Sequence, residues 1–392
     1  MPTEQNNPSA YSLIIRRARV IDPAQAIDRV ADIAVRDGRI AGIGDYSAAT
    51  AAESIDAAGA IASPGWIDLH AHVFSDGSVI GLDADSEAGI ATGVTTVVDA
   101  GSSGAETWRD FRESVIDTAQ TRVLAFLNIS INPRAKPKHG DWANFSQRKT
   151  IRLAEAEAAA GRCLGIKVLA SQTHCGNLGI TPVKLARQAA RLSGTGLMVH
   201  IGNAPPLIDE VLELLGEGDI VTHCWHGKYG GLLGRDKKPL PAVWAAAERG
   251  VKFDIGHGSA SFAFETARRA LDAGLPLHAI STDLHGGCVN GPVHNQGTTM
   301  AKFLHLGLSL PEVIRLSTHS PAQLIQRGDT LGSLAVGREA DITIFRVVDG
   351  AFEFTDSEGA KEQASRNLEV LHTVRGGKVV GRTGSPTYEK EQ

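Results

Sequence analysis

Hydrophobic and polar positions alternate near both ends of the chain in the way that is typical of β-strands. Two such stretches lie between residues 11 and 60, and the second contains Asp37-Gly38, a pair that favours a hairpin turn. The same pattern returns in residues 340–348 and 368–380. We therefore predict that strands from the two chain ends pair in one small β-domain.

Between these regions, short apolar runs of strand length alternate with stretches rich in Ala, Leu, Glu and Arg. This alternation predicts parallel strands that are each followed by a helix. The strand-like runs are residues 66–72, 93–101, 122–130, 165–171, 196–202, 220–227, 251–258 and 277–286. Eight β/α repeats close most simply as a barrel. The predicted fold is therefore α/β: a (β/α)₈ TIM-type barrel at residues 63–329 and a small β-sandwich domain made of residues 1–62 together with 330–392.

Composition and charge limit the kinds of partner that this chain can have. Its 392 residues accommodate one barrel and one small additional domain. No run of about twenty apolar residues is present, which argues against a membrane span. A formal net charge of -5 with scattered basic residues argues against nucleic acid. We expect a small-molecule substrate, neither nucleic acid nor a membrane as partner, and a homo-oligomer.

The N-terminal segment and the cysteines indicate the compartment. The first residues lack the basic segment and following apolar segment of a secretory signal. Cys163, Cys175, Cys224 and Cys288 show no CxxC spacing, and four cysteines in so long a chain do not suggest a disulfide framework. These features favour the cytoplasm, with the cysteines reduced.

The strongest local motif is His70-Ala71-His72, which ends the first predicted barrel strand. Side chains two positions apart on a strand point to the same face, so both imidazoles can reach one metal ion. Neutral imidazole is also the commonest metal ligand in proteins. Taken alone, the motif fits two surface histidines equally well, so the other strands must decide.

Polar residues recur at the carboxyl ends of other predicted strands, where barrel enzymes place their active sites. They are Lys167, His200, His223 and Asp283. A lysine in the apolar run GIKVLAS is costly to bury unpaired. It either pairs with a buried carboxylate or has taken up carbon dioxide to form a carbamate that bridges two cations, and the histidines favour the carbamate. Asp283 is either a helix cap or a metal ligand and proton shuttle, and its place at a strand end favours the second role.

These motifs resemble the amidohydrolase superfamily over nearly the whole chain. The resemblance is carried by PGWIDLHAH, by the four strand-end residues above, and by GSLAVGREADITIF near the C-terminus. In the binuclear branch with a carboxylated lysine, it implies that His70, His72 and Asp283 bind one divalent metal ion, that His200 and His223 bind a second, and that N6-carboxylated Lys167 bridges the two. Nitrogen-rich ligands favour Zn²⁺. The implied chemistry is attack by a metal-bridging hydroxide, with Asp283 as the proton shuttle.

The substrate is less sharply indicated than the chemistry. Dihydroorotases usually carry an arginine two residues after the second histidine, where this chain has Phe74, and hydantoinases normally differ from the stretch VFSDGS. The pattern is more similar to the branch labelled deacetylase or dihydroorotase-like. We therefore predict hydrolysis of an amide or ester bond in a small acylated acid. A cyclic-amide hydrolase (dihydroorotase or hydantoinase type), a deaminase, and a scaffold protein that has lost catalysis remain as alternatives.

Three residues are predicted to contact the substrate, each with a plainer interpretation beside it. Arg235, in the long basic loop KYGGLLGRDKKPL, fits either a carboxylate-binding group or a solvated loop arginine. His257 and His285 follow the seventh and eighth predicted strands, and each fits either a pocket residue or a structural histidine.

Overall fold

The computed structural model describes residues 11–75, 80–133 and 140–382. The strands are β1 (Tyr11–Asp22), β2 (Ile27–Arg36), β3 (Arg39–Gly44), β4 (Ala51–Asp56), β5 (Ile61–Pro64), β6 (Trp66–Ala71), β7 (Val94–Asp99), β8 (Arg122–Asn128), β9 (Cys163–Ala170), β10 (Gly196–Ile201), β11 (Ile220–Thr222), β12 (Lys252–Asp254), β13 (Ile342–Thr355), β14 (Lys361–Arg375) and β15 (Lys378–Arg382). The helices are α1 (Trp108–Phe111), α2 (Gln147–Ala159), α3 (Gln172–Cys175), α4 (Thr181–Ser193), α5 (Ile208–Glu213), α6 (Pro241–Glu248), α7 (Phe264–Asp272), α8 (Gln296–His305), α9 (Leu310–Leu316) and α10 (His319–Leu324).

The two ends of the chain share one mixed sheet, as their strand patterns predicted. Its order is β15-β14-β13-β5-β1-β2-β3, with β4 paired to β1. The joint between the two ends is the antiparallel pairing of β13 with β5. The β2–β3 hairpin turns at Asp37 and Gly38, both with positive φ, which confirms the predicted turn. Hydrogen bonds connect these strands into a single sheet, whereas the sequence pattern had suggested a two-layer sandwich.

The second sheet is parallel throughout and follows chain order from β6 to β12. Strands β6 and β7 are buried along their whole length, which is expected where helices or core side chains cover both faces of a parallel sheet. This explains why these strands appear in the sequence as continuous apolar runs. Seven of the predicted barrel strands are thus confirmed as neighbours in one sheet.

The eighth predicted strand, residues 277–286, does not form a regular ladder. Single parallel bridges join Asp254 to Ala279 on one side and Ala71 to Leu284 on the other, so the segment lies between β12 and β6. Asp283 has a φ of 49°, in the left-handed region, and a residue in that conformation interrupts strand pairing. The expected strand is therefore only partly realised.

Two further strands end earlier than their apolar runs predicted. Strand β11 stops at Thr222 because His223 has a φ of 69°, and β12 stops at Asp254 shortly before Gly256 at a φ of 48°. His223 and His257 therefore lie in turns that follow the strands.

Helices follow most strands of the parallel sheet, as the alternating pattern predicted. After β7, α1 covers only four residues and continues as a wider helical turn over Arg112–Ile116. Gly194, at a φ of 65°, ends α4 in the way that glycine commonly ends helices. None of the described helices combines the length and the apolar character that crossing a bilayer requires.

Candidate metal centre

Five of the six predicted metal ligands sit in or directly after strands of the parallel sheet, and Asp283 lies in the bridged segment between β12 and β6. His70, Lys167 and His200 lie on β6, β9 and β10, while His72 and His223 follow β6 and β11. The donor atoms of His70, His223 and Asp283 all lie within 4.8 Å of one another. Residues that are far apart in the sequence therefore form one cluster at the carboxyl side of the sheet.

Asp283 connects the two histidines of the first strand. Its Oδ1 is 3.2 Å from His70 Nε2 and 3.1 Å from His72 Nε2. The carboxylate remains 13% exposed, so a small molecule can reach it. Both Asp283 and His223 have positive φ, a costly conformation for residues other than glycine that is found most often at functional sites.

The imidazole rings form a continuous row across the cluster. Ring centroids are 5.6 Å apart between His72 and His70, 4.9 Å between His70 and His223, and 4.4 Å between His223 and His200. The row therefore runs from the exposed side of Asp283 to the strand that carries His200.

Lys167 is buried beside the middle of this row. Its side chain is 2% exposed, and its Nζ lies 3.3 Å from His70 Nε2 and 3.5 Å from Met198 Sδ. No carboxylate of the described residues forms an ion pair with it, so the buried ion pair that the sequence left open is not formed there. Burial lowers the pKa of Lys167 to about 8, which increases the fraction of neutral, nucleophilic amine.

Hydrogen bonds to the second ring nitrogen orient the histidines. His70 Nδ1 is 2.8 Å from Thr222 Oγ1, which itself donates to Asp254 Oδ2 at 2.7 Å, so the Thr222 oxygen accepts from His70 Nδ1–H. His223 Nδ1–H donates to the carbonyl oxygen of Gly256 at 2.6 Å. In both rings the lone pair is left on Nε2, which faces the cluster.

Sequence reasoning missed these orienting residues. The available signal was a polar residue inside an apolar strand, namely Asp254 in β12 and Thr222 in β11. Ser102, whose Oγ lies 2.8 Å from His72 Nδ1, had no such signal because it sits in a polar loop.

Two buried carboxylates hold the backbone around the cluster. Asp68 accepts hydrogen bonds from His70 N at 3.2 Å, from Thr282 N at 3.0 Å and from the Thr282 hydroxyl. Burial raises the pKa of Asp68 to about 7. Asp99 accepts from three backbone N–H groups of the residues that follow β6 and β7. Internal acceptors therefore fix the backbone of the segments that carry His70, His72 and Asp283.

The charges of the cluster suit a metal ion. Burial lowers the pKa of His200 and His223 well below the ordinary value, so both rings are neutral. Burial also acts to lower the pKa of His70, but Asp283 and Asp254 raise it above the ordinary value. For Asp283, burial acts to raise the pKa, yet the neighbouring imidazoles hold it well below its usual range. The site is thus an ionised carboxylate among histidines and favours added positive charge.

The donor set therefore fits a first-row divalent cation. Nε2 of His70 and Oδ1 of Asp283 lie 3.2 Å apart, and both are atoms that bind metal ions in proteins. Imidazole nitrogens with a carboxylate oxygen are the ligands that zinc and similar metals prefer.

The three residues predicted to contact the substrate have different surroundings in the structure. His257 is fully buried, with Nε2 2.7 Å from Lys302 Nζ and its ring stacked on Phe262 at 4.6 Å. His285 is half-buried, with its ring centroid 6.3 Å from that of His72. Arg235 is exposed and lines a cavity of about 750 Å³ beside the loop that follows β11. Only His285 of the three neighbours a proposed ligand by a ring contact.

A model of the amidohydrolase family matches residues 181–381, a range that includes His200, His223 and Asp283. A protein named deacetylase from Brucella anthropi is 41% identical over 357 residues, which cover 90% of this chain and 88% of that protein.

Two solved structures of similar sequence have the same fold. A crystal structure described as an adenine deaminase has a TM-score of 0.87 and 35% identity, and the match covers 94% of this chain and 99% of that chain. A crystal structure described as a dihydroorotase has a TM-score of 0.85 and 36% identity, covering 95% and 98%. Each match therefore covers nearly the whole chain.

Proposed function

The chain belongs to the amidohydrolase family, and from that premise we propose that it is a metal-dependent hydrolase that removes the acyl group from a small acylated acid by cleaving an amide or ester bond. One observation supports this proposal most directly. The donor atoms of His70, His223 and Asp283 lie within 4.8 Å of one another, next to a fully buried lysine. The relative named deacetylase supports this choice of reaction.

We assign two metal ions to this centre, most reasonably Zn²⁺. His70, His72 and Asp283 would hold one ion, and His200 and His223 would hold the other. N6-carboxylated Lys167 would supply the anion between them. The buried amine of Lys167, which makes no ion pair with the described residues, and its lowered pKa support this modification, because carbon dioxide reacts with a neutral amine.

When bound, the metal ions would supply Lewis acidity toward the water and the carbonyl of the scissile bond. Asp283 accepts the proton of the attacking water and transfers it to the leaving nitrogen or oxygen. The imidazoles of His70 and His72, within 3.2 Å of its Oδ1, keep this carboxylate ionised and aimed before the proton arrives. Thr222 and Gly256 hold His70 and His223 in the tautomer that leaves Nε2 available.

Cyclic-amide hydrolysis is the second candidate, because one similar structure is described as a dihydroorotase. Phe74 counts against a substrate held as dihydroorotases usually hold it. Its ring is fully buried and packs against Phe111 with centroids 5.0 Å apart, so this position offers no group for a substrate carboxylate. A deaminase of the usual kind, with one metal ion and no bridging lysine, does not account for Lys167.

The proposal also includes the barrel, the second domain, the compartment and the oligomeric state expected from the sequence. Residues 277–286 act as the eighth element of a closed barrel, supported by their bridges to β12 and β6. The barrel spans residues 63–329, and residues 1–62 with 330–392 form the second domain. The buried free thiols fit a reducing cytoplasm, and a homo-oligomer remains a prediction.

A hydrolysis screen tests the function directly. The metal-loaded protein is offered N-acyl amino acids, acylated hydroxy acids, cyclic amides and aminated heterocycles, and its metal content is measured. We expect about two divalent ions per chain and turnover of acylated acids. Ring opening alone would favour the cyclic-amide alternative, and ammonia release would favour a deaminase. Bound metal without any turnover, or turnover without metal, would overturn the proposal.

A further inference from the structure

The loop after β11 carries a lysine that the chemistry above does not use. His226 N donates to the carbonyl oxygen of His223 at 3.3 Å, and Lys228 N donates to His226 Nδ1 at 3.1 Å. The loop thus turns tightly after a proposed ligand and holds Lys228 only five positions beyond it. Lys228 is half-buried and lines the cavity of about 750 Å³.

The ammonium group of Lys228 makes no ion pair or hydrogen bond within the described part of the chain. A half-buried charge without a partner is costly, and a ligand anion would offset that cost. The other cations of the cavity differ, because Lys237 lies 3.4 Å from Glu265 and Arg235 is exposed to solvent. Of the cations that line the cavity, Lys228 would therefore be stabilised most by an anionic ligand.

The wall that carries Lys228 adjoins the metal centre. His226, which lines the same cavity, donates its backbone N–H to the carbonyl oxygen of His223, a proposed ligand. Burial lowers the pKa of Lys228, while the negative charges of Asp283 and Glu358 act in the opposite direction. A small molecule at the centre that extends along this wall therefore meets Lys228.

His226 adds a second unsatisfied group to the cavity wall. Its Nδ1 accepts the bond from Lys228 N, and burial lowers its pKa to about 4, so the neutral ring carries its proton on Nε2. Nε2 is buried and has no hydrogen-bond partner among the described residues. Buried donors are nearly always hydrogen-bonded in proteins. The N–H group of His226 Nε2 therefore lacks an acceptor among the described residues.

The rest of the cavity has an apolar part and an acidic part. Its lining includes Leu207, Leu233, Leu240 and Pro241, together with the carboxylates of Asp209 and Glu213. The apolar part suits a hydrocarbon or aromatic group.

We propose that Lys228 binds the carboxylate of an acylated acid whose apolar side group occupies this cavity, while its acyl group lies at the metal centre. The inference rests on the proposed function and narrows it to acids that bear an apolar side group. It also supplies the cation that Phe74 does not provide.

A pair of substrates that differ in one charge tests this role. Racemic N-acetylleucine and N-acetylleucinamide are compared in wild type, in Lys228→Met and in the matched control Lys237→Met. We expect Lys228→Met to lower kcat/KM for the acid by about 30-fold or more, mainly through KM, and to leave the amide unchanged. Lys237→Met should leave the ratio of acid to amide as in wild type, and Lys228→Arg should restore part of the preference.

A binding measurement separates this inference from the proposed function. Calorimetry on the metal-loaded protein compares 4-methylpentanoate with 4-methylpentanamide. We expect wild type to prefer the carboxylate and Lys228→Met to lose that preference. Hydrolysis of acylated acids with equal acid preference in Lys228→Met would overturn the role of Lys228 while the function stands. Carboxylate binding through Lys228 without hydrolysis of any acyl compound would overturn the function and leave this site.

Discussion

Two lysines are buried among the described residues, and their surroundings differ at the level of single atoms. Lys302 is fully buried, but its Nζ lies 2.7 Å from His257 Nε2 and donates to the carbonyl oxygens of Pro292 and Thr355 at 2.7 and 2.8 Å. All three of its donors are thus used. Lys167 has only His70 Nε2 at 3.3 Å and a methionine sulfur nearby. The hydrogen-bonding capacity of the Lys302 ammonium group is therefore satisfied, whereas that of Lys167 is not.

This contrast predicts opposite effects of the same substitution at the two lysines. Lys167→Met should reduce bound metal to one ion or fewer and lower kcat by about a thousand-fold or more, because the proposed bridging anion can no longer form. After chelation its free energy of unfolding should equal or exceed that of wild type, since an unsatisfied amine has been removed. Metal analysis, kinetics and urea unfolding measure the three quantities.

Lys302→Met is the matched control for that prediction. It should lower the free energy of unfolding by about 3 kcal/mol, because it leaves buried acceptors unpaired. Full metal binding and activity in Lys167→Met would contradict the bridging role.

At the level of elements, the turn after β12 orients two proposed ligands at once. The carbonyl oxygen of Gly256 accepts from His223 Nδ1–H, and Gly258 N donates to Thr282 O at 2.8 Å, directly beside Asp283. His257, between the two glycines, turns away to Lys302 and anchors the turn. The seventh strand therefore contributes to the centre through its backbone.

Gly258→Ala tests the turn. A methyl group at Gly258 would overlap Asp283 Oδ2, and the φ of 51° disfavours any side chain there. We expect kcat to fall about a hundred-fold as the carboxylate is displaced. Gly274→Ala is the control, because Gly274 also has a positive φ of 72° but nothing within 4 Å of the added methyl group. It should cost about 1 kcal/mol of stability with kcat unchanged, and equal activity of the two variants would argue against the turn.

Strand β11 supports β6 through one hydroxyl group. Thr222→Val removes the oxygen that lies between His70 Nδ1 and Asp254 while keeping the volume of the side chain. We expect metal affinity to fall between about 10-fold and 100-fold, since orienting partners of metal-binding histidines typically contribute that much. Thr222→Ser should retain most of the affinity. Metal titration against a chelator measures both, and unchanged affinity in Thr222→Val would remove this role.

For the molecule as a whole, several buried or half-buried histidines are held in the neutral form. Burial lowers the pKa of His226 and His278 to about 4. Between pH 6.5 and 4 the unfolded chain binds protons at these residues that the folded chain does not bind. Stability is therefore lost as the pH falls. Asp68, with a pKa raised to about 7 by burial, has the opposite effect over much of this range.

His278→Gln isolates one part of this pH dependence. A difference of one bound proton corresponds to about 1.4 kcal/mol per pH unit, and solvent screening makes the contribution of half-buried His278 smaller. We expect the free energy of unfolding of His278→Gln to depend on pH less steeply than that of wild type between pH 6 and 4.5. Urea unfolding at several pH values measures the slopes. Parallel slopes in the two proteins would show that His278 is not buried in the neutral form.

The sequence by itself determined the order of strands and helices, the pairing of the two chain ends and the family. Apolar periodicity is a local property, so seven strands of the parallel sheet were visible without coordinates. The His70-Ala71-His72 motif and Lys167 were also visible, because a charged or polar residue in an apolar strand needs a partner.

Only the tertiary structure decided which partner each of these residues has. His70 and Thr222 are 152 positions apart, and no local pattern reports a hydrogen bond over that separation. The left-handed conformations of His223 and Asp283, which shorten one strand and interrupt another, depend on the packing around them. The direction of His257 toward Lys302 and the isolation of Lys228 likewise follow from where distant segments meet. Contacts between segments far apart in the chain set these features, whereas periodicity reports only on each segment alone.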